Sequence, residues 1–147
     1  MASTFQTGPR HILINTGLTN KATGVYCVTE AGKEFDNGAG EYLRADFELV
    51  LTTQGAATNG STFGLFVVPS YDGGTSYADG SASVVPQAEL KVGDFTVAEA
   101  GKTAHHLVMY DKVIPVGLFK GIVLNGSSQT TANAATGFLY IIPHLRA

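Results

Sequence analysis

The sequence predicts an all-β protein, an antiparallel β-sandwich of jelly-roll type with about eight strands. Three observations support this prediction. Helical periodicity is nearly absent, 18 glycines are spread through the 147 residues, and short apolar runs recur between turn-forming segments. A chain of this length can bury a core of its own. We therefore expect one β-sandwich domain over residues 11–147, preceded by a flexible N-terminal arm over residues 1–10.

Strand patterns follow one another through the chain. Residues 42–53 alternate most clearly, and their apolar face carries Leu43, Ala45, Phe47, Leu49 and Leu51. Residues 63–68 are apolar on both faces, which predicts a strand covered on both sides. In residues 90–97 the apolar phase slips at Gly93, as in a β-bulge. The other predicted strands are residues 11–14, 25–29, 105–110, 118–124 and 136–142.

Turn-forming residues separate these strands. Residues 15–23, 31–40, 55–61 and 125–135 are rich in Gly, Asn, Ser and Thr, and we predict connections there rather than strands. The longest connection follows residue 69 and carries two Asp-Gly steps, Asp72-Gly73 and Asp79-Gly80, which suit turns with positive φ.

The composition argues against several classes of function. The net charge is −3, and the nine Lys and Arg residues are scattered, whereas nucleic-acid binding requires a basic stripe. The sequence contains no run of 18 apolar residues, so no transmembrane helix is predicted. Charged residues make up only 14% of the chain, against about 25% in an average soluble domain, and charge is also depleted at the centre of protein interfaces.

No motif indicates catalysis, so we expect no enzyme, no catalytic residue and no cofactor. Asp46 and Glu48 share a strand face with Arg44, which indicates a solvated, salt-linked face rather than a pair of catalytic carboxylates. Cys27 is the only cysteine, and in its apolar setting it is expected to be a buried, inert thiol. Nucleophile-elbow and phosphate-loop patterns are absent.

The histidines and acidic residues do not have the spacing of a metal site. His105 and His106 are adjacent in a strand, so their side chains point to opposite faces. A site would need one of them together with a side chain brought near by the fold, and the candidates are His11, Asp111 and His144. Asp72 and Asp79 suggest a calcium loop, but the required ligand order and closing Glu are missing.

Two tyrosines on the long connection, Tyr71 and Tyr77, allow two interpretations. Exposed aromatic residues on loops are typical anchors for partners. The same side chains could instead fold back and pack the loop against the sheet. The sequence leaves both interpretations open.

Residues 43–142 resemble a family of small structural proteins of tailed bacteriophages. The resemblance is carried by ADFELVLTT, FGLFVVPSYDGGTSYADGSASVVP, KVGDFTV, HHLVMYDKVIPVGLFKGIVLNGSSQ and ATGFLYIIP. The first 40 residues do not share it. It implies a capsid decoration (cement) protein or, less often, a tail component.

Decoration proteins of this kind stand on the outside of the head lattice, commonly as trimers, and clamp neighbouring major capsid subunits. The resemblance thus implies a virion protein of the capsid surface, made in the host cytoplasm. The composition, in turn, predicts no nucleic-acid or membrane partner. We expect the partner contacts to involve Phe5, Arg10, Tyr71 and Tyr77. The alternative is a tail or host-attachment module that binds carbohydrate through Tyr71, Tyr77, Asp72 and Asp79.

Overall fold

The structure, a computed structural model, describes residues 7–19, 21–51, 60–99, 104–127 and 137–145. Within these ranges there are nine strands and no α-helix. Residues 52–53, 55–59, 128–135 and 136, for which the sequence predicts strand ends and turns, lie outside the described part. The strands are β1 (His11–Ile14), β2 (Tyr26–Val28), β3 (Phe35–Asn37), β4 (Tyr42–Leu51), β5 (Thr62–Pro69), β6 (Lys91–Thr96), β7 (His105–Val113), β8 (Gly117–Asn125) and β9 (Gly137–Leu145).

The strands form two antiparallel sheets. One has the order β1-β9-β4-β7, and the other has the order β2-β8-β5-β6, with β3 pairing with β8 as well. If β2 and β3 are taken as two parts of one strand, the first strand pairs with the last, the second with the second last, and so on inwards. This order is that of a jelly roll, so the predicted fold class is confirmed.

The main core lies between the two sheets, where the alternating side chains of both meet. Ala45, Phe47, Leu49 and Leu51 are buried there, as the alternation in residues 42–53 predicts. Leu43 is the exception, because 48% of it is exposed. The pairing of β4 with β9 shifts register between Tyr42 and Arg44, and this irregularity turns Leu43 outward. The prediction that Leu43 shares the core face is therefore wrong.

A second apolar cluster lies on the outer face of the β2-β8-β5-β6 sheet. Phe66, Val68 and Ile122 form its buried part, and Tyr77 and Ala78 of the connection between β5 and β6 pack against it. We call residues 70–87 the covering loop, because they shield this outer face. The prediction that β5 is covered on both sides is confirmed, and its second cover is a loop.

Two local features of the strands also bear on the predictions. β6 carries an irregularity in its pairing with β5, where Leu65 lies opposite Gly93 and Phe66 opposite Lys91, which confirms the predicted bulge. β3 is an error of the prediction, since residues 31–40 were expected to form only turns. A strand of three residues between turn-forming neighbours is too short to show alternation.

Candidate functional site

Three connections meet at one end of the sandwich. Asn37 at the end of β3 pairs with Gly117 at the start of β8, and Pro69 at the end of β5 pairs with Phe119. In the other sheet, Arg44 near the start of β4 pairs with Val113 at the end of β7. We call this surface, formed by residues 36–43, 70–77 and 113–118, the loop end.

The buried side chain of Asn37 ties the loop end together. Its amide nitrogen donates to the carbonyl oxygens of Tyr42, at 2.8 Å, and Pro115, at 2.9 Å. Its amide oxygen accepts from the backbone N–H of Tyr42 at 3.2 Å. Asn37 therefore fixes the start of β4 against the connection between β7 and β8. Sequence reasoning missed this role, because Asn-Gly steps are read as turns.

The first turn of the covering loop is held by Asp72. Its carboxylate accepts hydrogen bonds from the Ser70 hydroxyl and from both the hydroxyl and the backbone N–H of Ser76. The hydrogen bonds from Ser76 and Ser70 lower the pKa of Asp72 to about 2. Asp72 thus stays ionised and acts in the turn, which agrees with the turn interpretation of the Asp-Gly step.

The two tyrosines of the covering loop take opposite positions. Tyr71 points into solvent and is 86% exposed, as an anchor for a partner would be. Tyr77 is half-buried against the second cluster, and the Lys120 ammonium lies 4.7 Å from its ring centroid. Burial, together with the charges of Glu34 and Asp72, raises the pKa of Tyr77. Each of the two interpretations of the sequence therefore describes one tyrosine.

Exposed apolar side chains lie near Tyr71 at the loop end. Val113 and Val116 are 67% and 56% exposed, and each lines a cleft together with Tyr71. Leu43 is also exposed, and its carbonyl oxygen accepts from the N–H of Ile114, the residue after Val113. We call Leu43, Tyr71, Val113 and Val116 the apolar patch. Such a cluster is typical of an interaction site. Val84, Val85 and Tyr110 are also exposed, outside the patch.

Three clefts are lined in part by Tyr71. One, of about 350 Å³, lies between β6 and β7 and includes Lys91 and Lys112. Another, of about 530 Å³, lies between Tyr71 and the connection that precedes β8. The third, of about 330 Å³, lies within the covering loop and brings together Tyr71, Asp72 and Tyr77. All three volumes are in the range of small ligand sites.

Arg10 is placed on the outer face of the β1-β9-β4-β7 sheet. Its guanidinium lies 3.5 Å from the ring centroid of Tyr140 and 3.2 Å from Glu48, and His106 contacts the same carboxylate. Arg10 is thus engaged with its own domain, away from the apolar patch. Phe5, the other arm residue expected to contact a partner, lies outside the described residues.

The predicted salt-linked face is present, but its ion pairs run between strands. Arg44 pairs with Asp111, and Asp46 contacts the His144 imidazole at 3.0 Å. Asp111 has a φ of +55° and its N–H donates to Asp46 at 2.8 Å, so this cluster holds an irregular point of β7.

His105 is buried and His106 is exposed, so the two imidazoles lie on opposite faces, as predicted. Within the described ranges, no group of three or more His, Cys, Asp and Glu residues could hold a metal ion.

No helix in this part of the chain is long and apolar enough to cross a membrane. Burial, partly offset by the charge of Lys21, raises the pKa of Cys27 to about 12.

The chain matches no protein-family model, no curated protein and no solved structure. The geometry of the loop end and the resemblance in the sequence therefore carry the functional argument.

Proposed function

We propose that this protein is a capsid decoration protein of a tailed bacteriophage that binds the outside of the head lattice and clamps neighbouring capsid subunits. The observation that carries the proposal is the apolar patch at the loop end, which includes the exposed Tyr71. Buried apolar area and an aromatic anchor supply much of the affinity of protein interfaces.

The distribution of charge supports the loop end as the surface that contacts the capsid. On the outer face of the β1-β9-β4-β7 sheet, Arg10, Glu48, Asp46 and His144 are engaged with one another and with their neighbours. The patch, in contrast, presents apolar side chains to solvent. Burial of the patch by a partner would remove this apolar area from water.

A closed trimer on the capsid would strengthen modest contacts. If each copy binds one capsid site, the second and third contacts of the same assembly become intramolecular. Cyclic symmetry is the usual arrangement of such assemblies. The proposed partners are therefore the major capsid protein and further copies of this chain.

The alternative, a carbohydrate-binding attachment module, has less support. It needs Tyr71, Tyr77, Asp72 and Asp79 to form one site, and the first three line a cleft of about 330 Å³ whose lining does not include Asp79. Tyr77 packs inward, and the carboxylate of Asp72 is engaged by the loop itself. Of the two tyrosines, only Tyr71 is presented for stacking on a sugar.

The first test counts copies of the chain in virions separated into heads and tails. We expect many copies per head and none per tail. Copies confined to tails would overturn the proposal and favour the attachment module.

A second arm of the test measures binding of the purified protein to heads that lack it. Val116→Lys should weaken binding, because it places a charge in the apolar patch. Val85→Lys is the matched control, since Val85 is also exposed, at 66%, but lies on the covering loop outside the patch. Equal binding by the two variants would exclude the patch as the capsid contact.

A further inference from the structure

The cleft of about 530 Å³ beside Tyr71 combines an apolar wall with one carboxylate. Pro115, Val116 and Leu118 line one side, the Tyr71 ring lies at another, and Asp36 completes the lining. Asp36 is the only charged side chain among the described residues that line this cleft. The cleft therefore carries a negative charge beside an aromatic ring, with no cation of its own to neutralise it.

The position of the carboxylate is set by the chain. The Gly38 N–H donates to Asp36 Oδ1 at 2.8 Å, which restrains the side chain on the turn after β3. Asp36 is exposed, so its charge is accessible to a partner.

Gly117 lines the cleft at the point where β8 begins. Its φ is +92°, and a Cβ atom at this position would lie 3.2 Å from the carbonyl oxygen of Ser70. Glycine thus allows β8 to begin close to the covering loop. The hydrogen bonds of Asn37 to Tyr42 and Pro115 hold the connection that precedes β8.

We propose that this cleft binds a Lys or Arg side chain presented by the partner. The aliphatic stem packs on Pro115, Val116 and Leu118, as long cationic side chains do on apolar surfaces. The cationic head lies against the Tyr71 ring and the Asp36 carboxylate, which attract it through cation–π and charge-assisted contacts. This inference rests on the proposed function, in that it assigns a basic side chain to the capsid segment that meets the loop end.

The neighbouring cleft has the opposite character. Lys91 and Lys112 line it together with Glu89, so it should not attract a cation. The two clefts share Tyr71, and comparison between them separates the effect of charge from that of the aromatic ring.

The test uses N-acetyl-arginine N-methylamide as a probe and N-acetyl-citrulline N-methylamide, which has nearly the same shape but no charge, as its control. Backbone amide shifts of the full chain are followed by NMR during titration with each probe. We expect saturable shifts at Gly73, Val116 and Leu118 with the arginine probe, and binding about fivefold weaker with the citrulline probe.

Asp36→Asn tests the carboxylate itself. Asparagine can still accept from the Gly38 N–H, so the turn should persist while the charge is lost, and we expect about fivefold weaker binding of the arginine probe. Asp79→Asn removes an exposed charge that does not line the cleft, and should leave binding unchanged. Equal shifts with both probes, or unchanged binding after Asp36→Asn, would overturn the inference.

The outcomes separate this inference from the proposed function. If the chain binds heads but the arginine probe does not occupy the cleft, the inference fails and decoration stands. If the arginine probe binds as expected but the chain is absent from heads, the cleft stands and decoration fails.

Discussion

At the scale of single residues, Glu30 fixes the connection that follows β1. Its carboxylate accepts from the backbone N–H groups of Asn15 and Gly17 and from the hydroxyl of Thr16. Burial raises the pKa of Glu30, but these hydrogen bonds outweigh it, and the net shift is downward. A carboxylate with this pattern stabilises the folded chain in its ionised form.

Replacement of Glu30 by Gln should lower the free energy of unfolding by about 1 kcal/mol at neutral pH, a value reduced for the partial exposure of the group. Because the pKa is lower in the folded chain, the ionised carboxylate adds stability above its ordinary value of 4.5. That contribution is lost as the pH falls through the folded value. Urea unfolding of both proteins at pH 7 and pH 3 should show a larger difference at pH 7 than at pH 3.

The control for this prediction is Glu89→Gln, which changes an exposed carboxyl on the short 3-10 turn before β6. It should match the parent protein at both pH values. A Glu30→Gln difference of the same size at both pH values would point to lost packing rather than lost charge.

At the scale of elements, the covering loop is the part of the fold that most resembles a separate layer. It is attached to the sheet by apolar contacts of Tyr77 and Ala78 and by the hydrogen bond from the Ala78 N–H to the Pro69 carbonyl oxygen. The turn around Asp72 orders its first residues. The loop thereby removes Phe66 and Ile122 from water.

Tyr77→Ala should therefore destabilise the protein by about 2 kcal/mol, because it removes most of a half-buried aromatic side chain. Tyr71→Ala on the same loop should change stability by no more than about 0.5 kcal/mol, since Tyr71 is exposed. Urea unfolding measures both, and limited proteolysis should cut the loop faster only in Tyr77→Ala. Equal losses of stability in the two variants would contradict the assigned positions.

One edge strand of each sheet carries features that discourage pairing with another chain. β6 and β7 end their sheets, and each carries a register irregularity, near Gly93 in β6 and before Lys112 in β7. Lys91 and Lys112 add charge to the same edges. Bulges and lysines discourage pairing with a foreign strand, so these edges are less suited to partners than the loop end.

At the scale of the whole molecule, the chain order makes folding non-local. β1 pairs with β9, and β4 pairs with both β7 and β9, so most of the chain must be present before either sheet is complete. Loop closure over such distances must precede the contacts that reward it.

We therefore expect refolding on a timescale of about milliseconds to seconds, as in other sandwiches of this topology. Stopped-flow dilution from urea, followed by tyrosine fluorescence, measures the rate. Added reductant should not change it, since Cys27 cannot form an intramolecular disulfide. A refolding phase complete within microseconds would contradict a fold dominated by long-range pairing.

The recurring apolar runs between turn-forming segments predict the sandwich, and the alternation in residues 42–53 predicts the buried face of β4 from Ala45 to Leu51. This worked because the two faces of a strand are set by the chain itself, with a period of two. The exposure of Leu43 and the strand β3 were not predicted, and both have the same physical reason. A register shift or a three-residue strand is decided by the neighbouring strand, here β9 or β8.

The candidate site divides in the same way. The sequence by itself determined the all-β class and the positions of the main strands along the chain. It also determined the turn role of Asp72 and the choice of Tyr71 and Tyr77 as candidate site residues. Only the tertiary structure decided that Tyr71 points outward while Tyr77 packs inward, and that Asp36, Val116 and Leu118 share a cleft with Tyr71. Local chemistry fixes turns and strands, whereas the meeting of β3, β5 and β8 at one end depends on pairing between segments that are tens of residues apart in the chain.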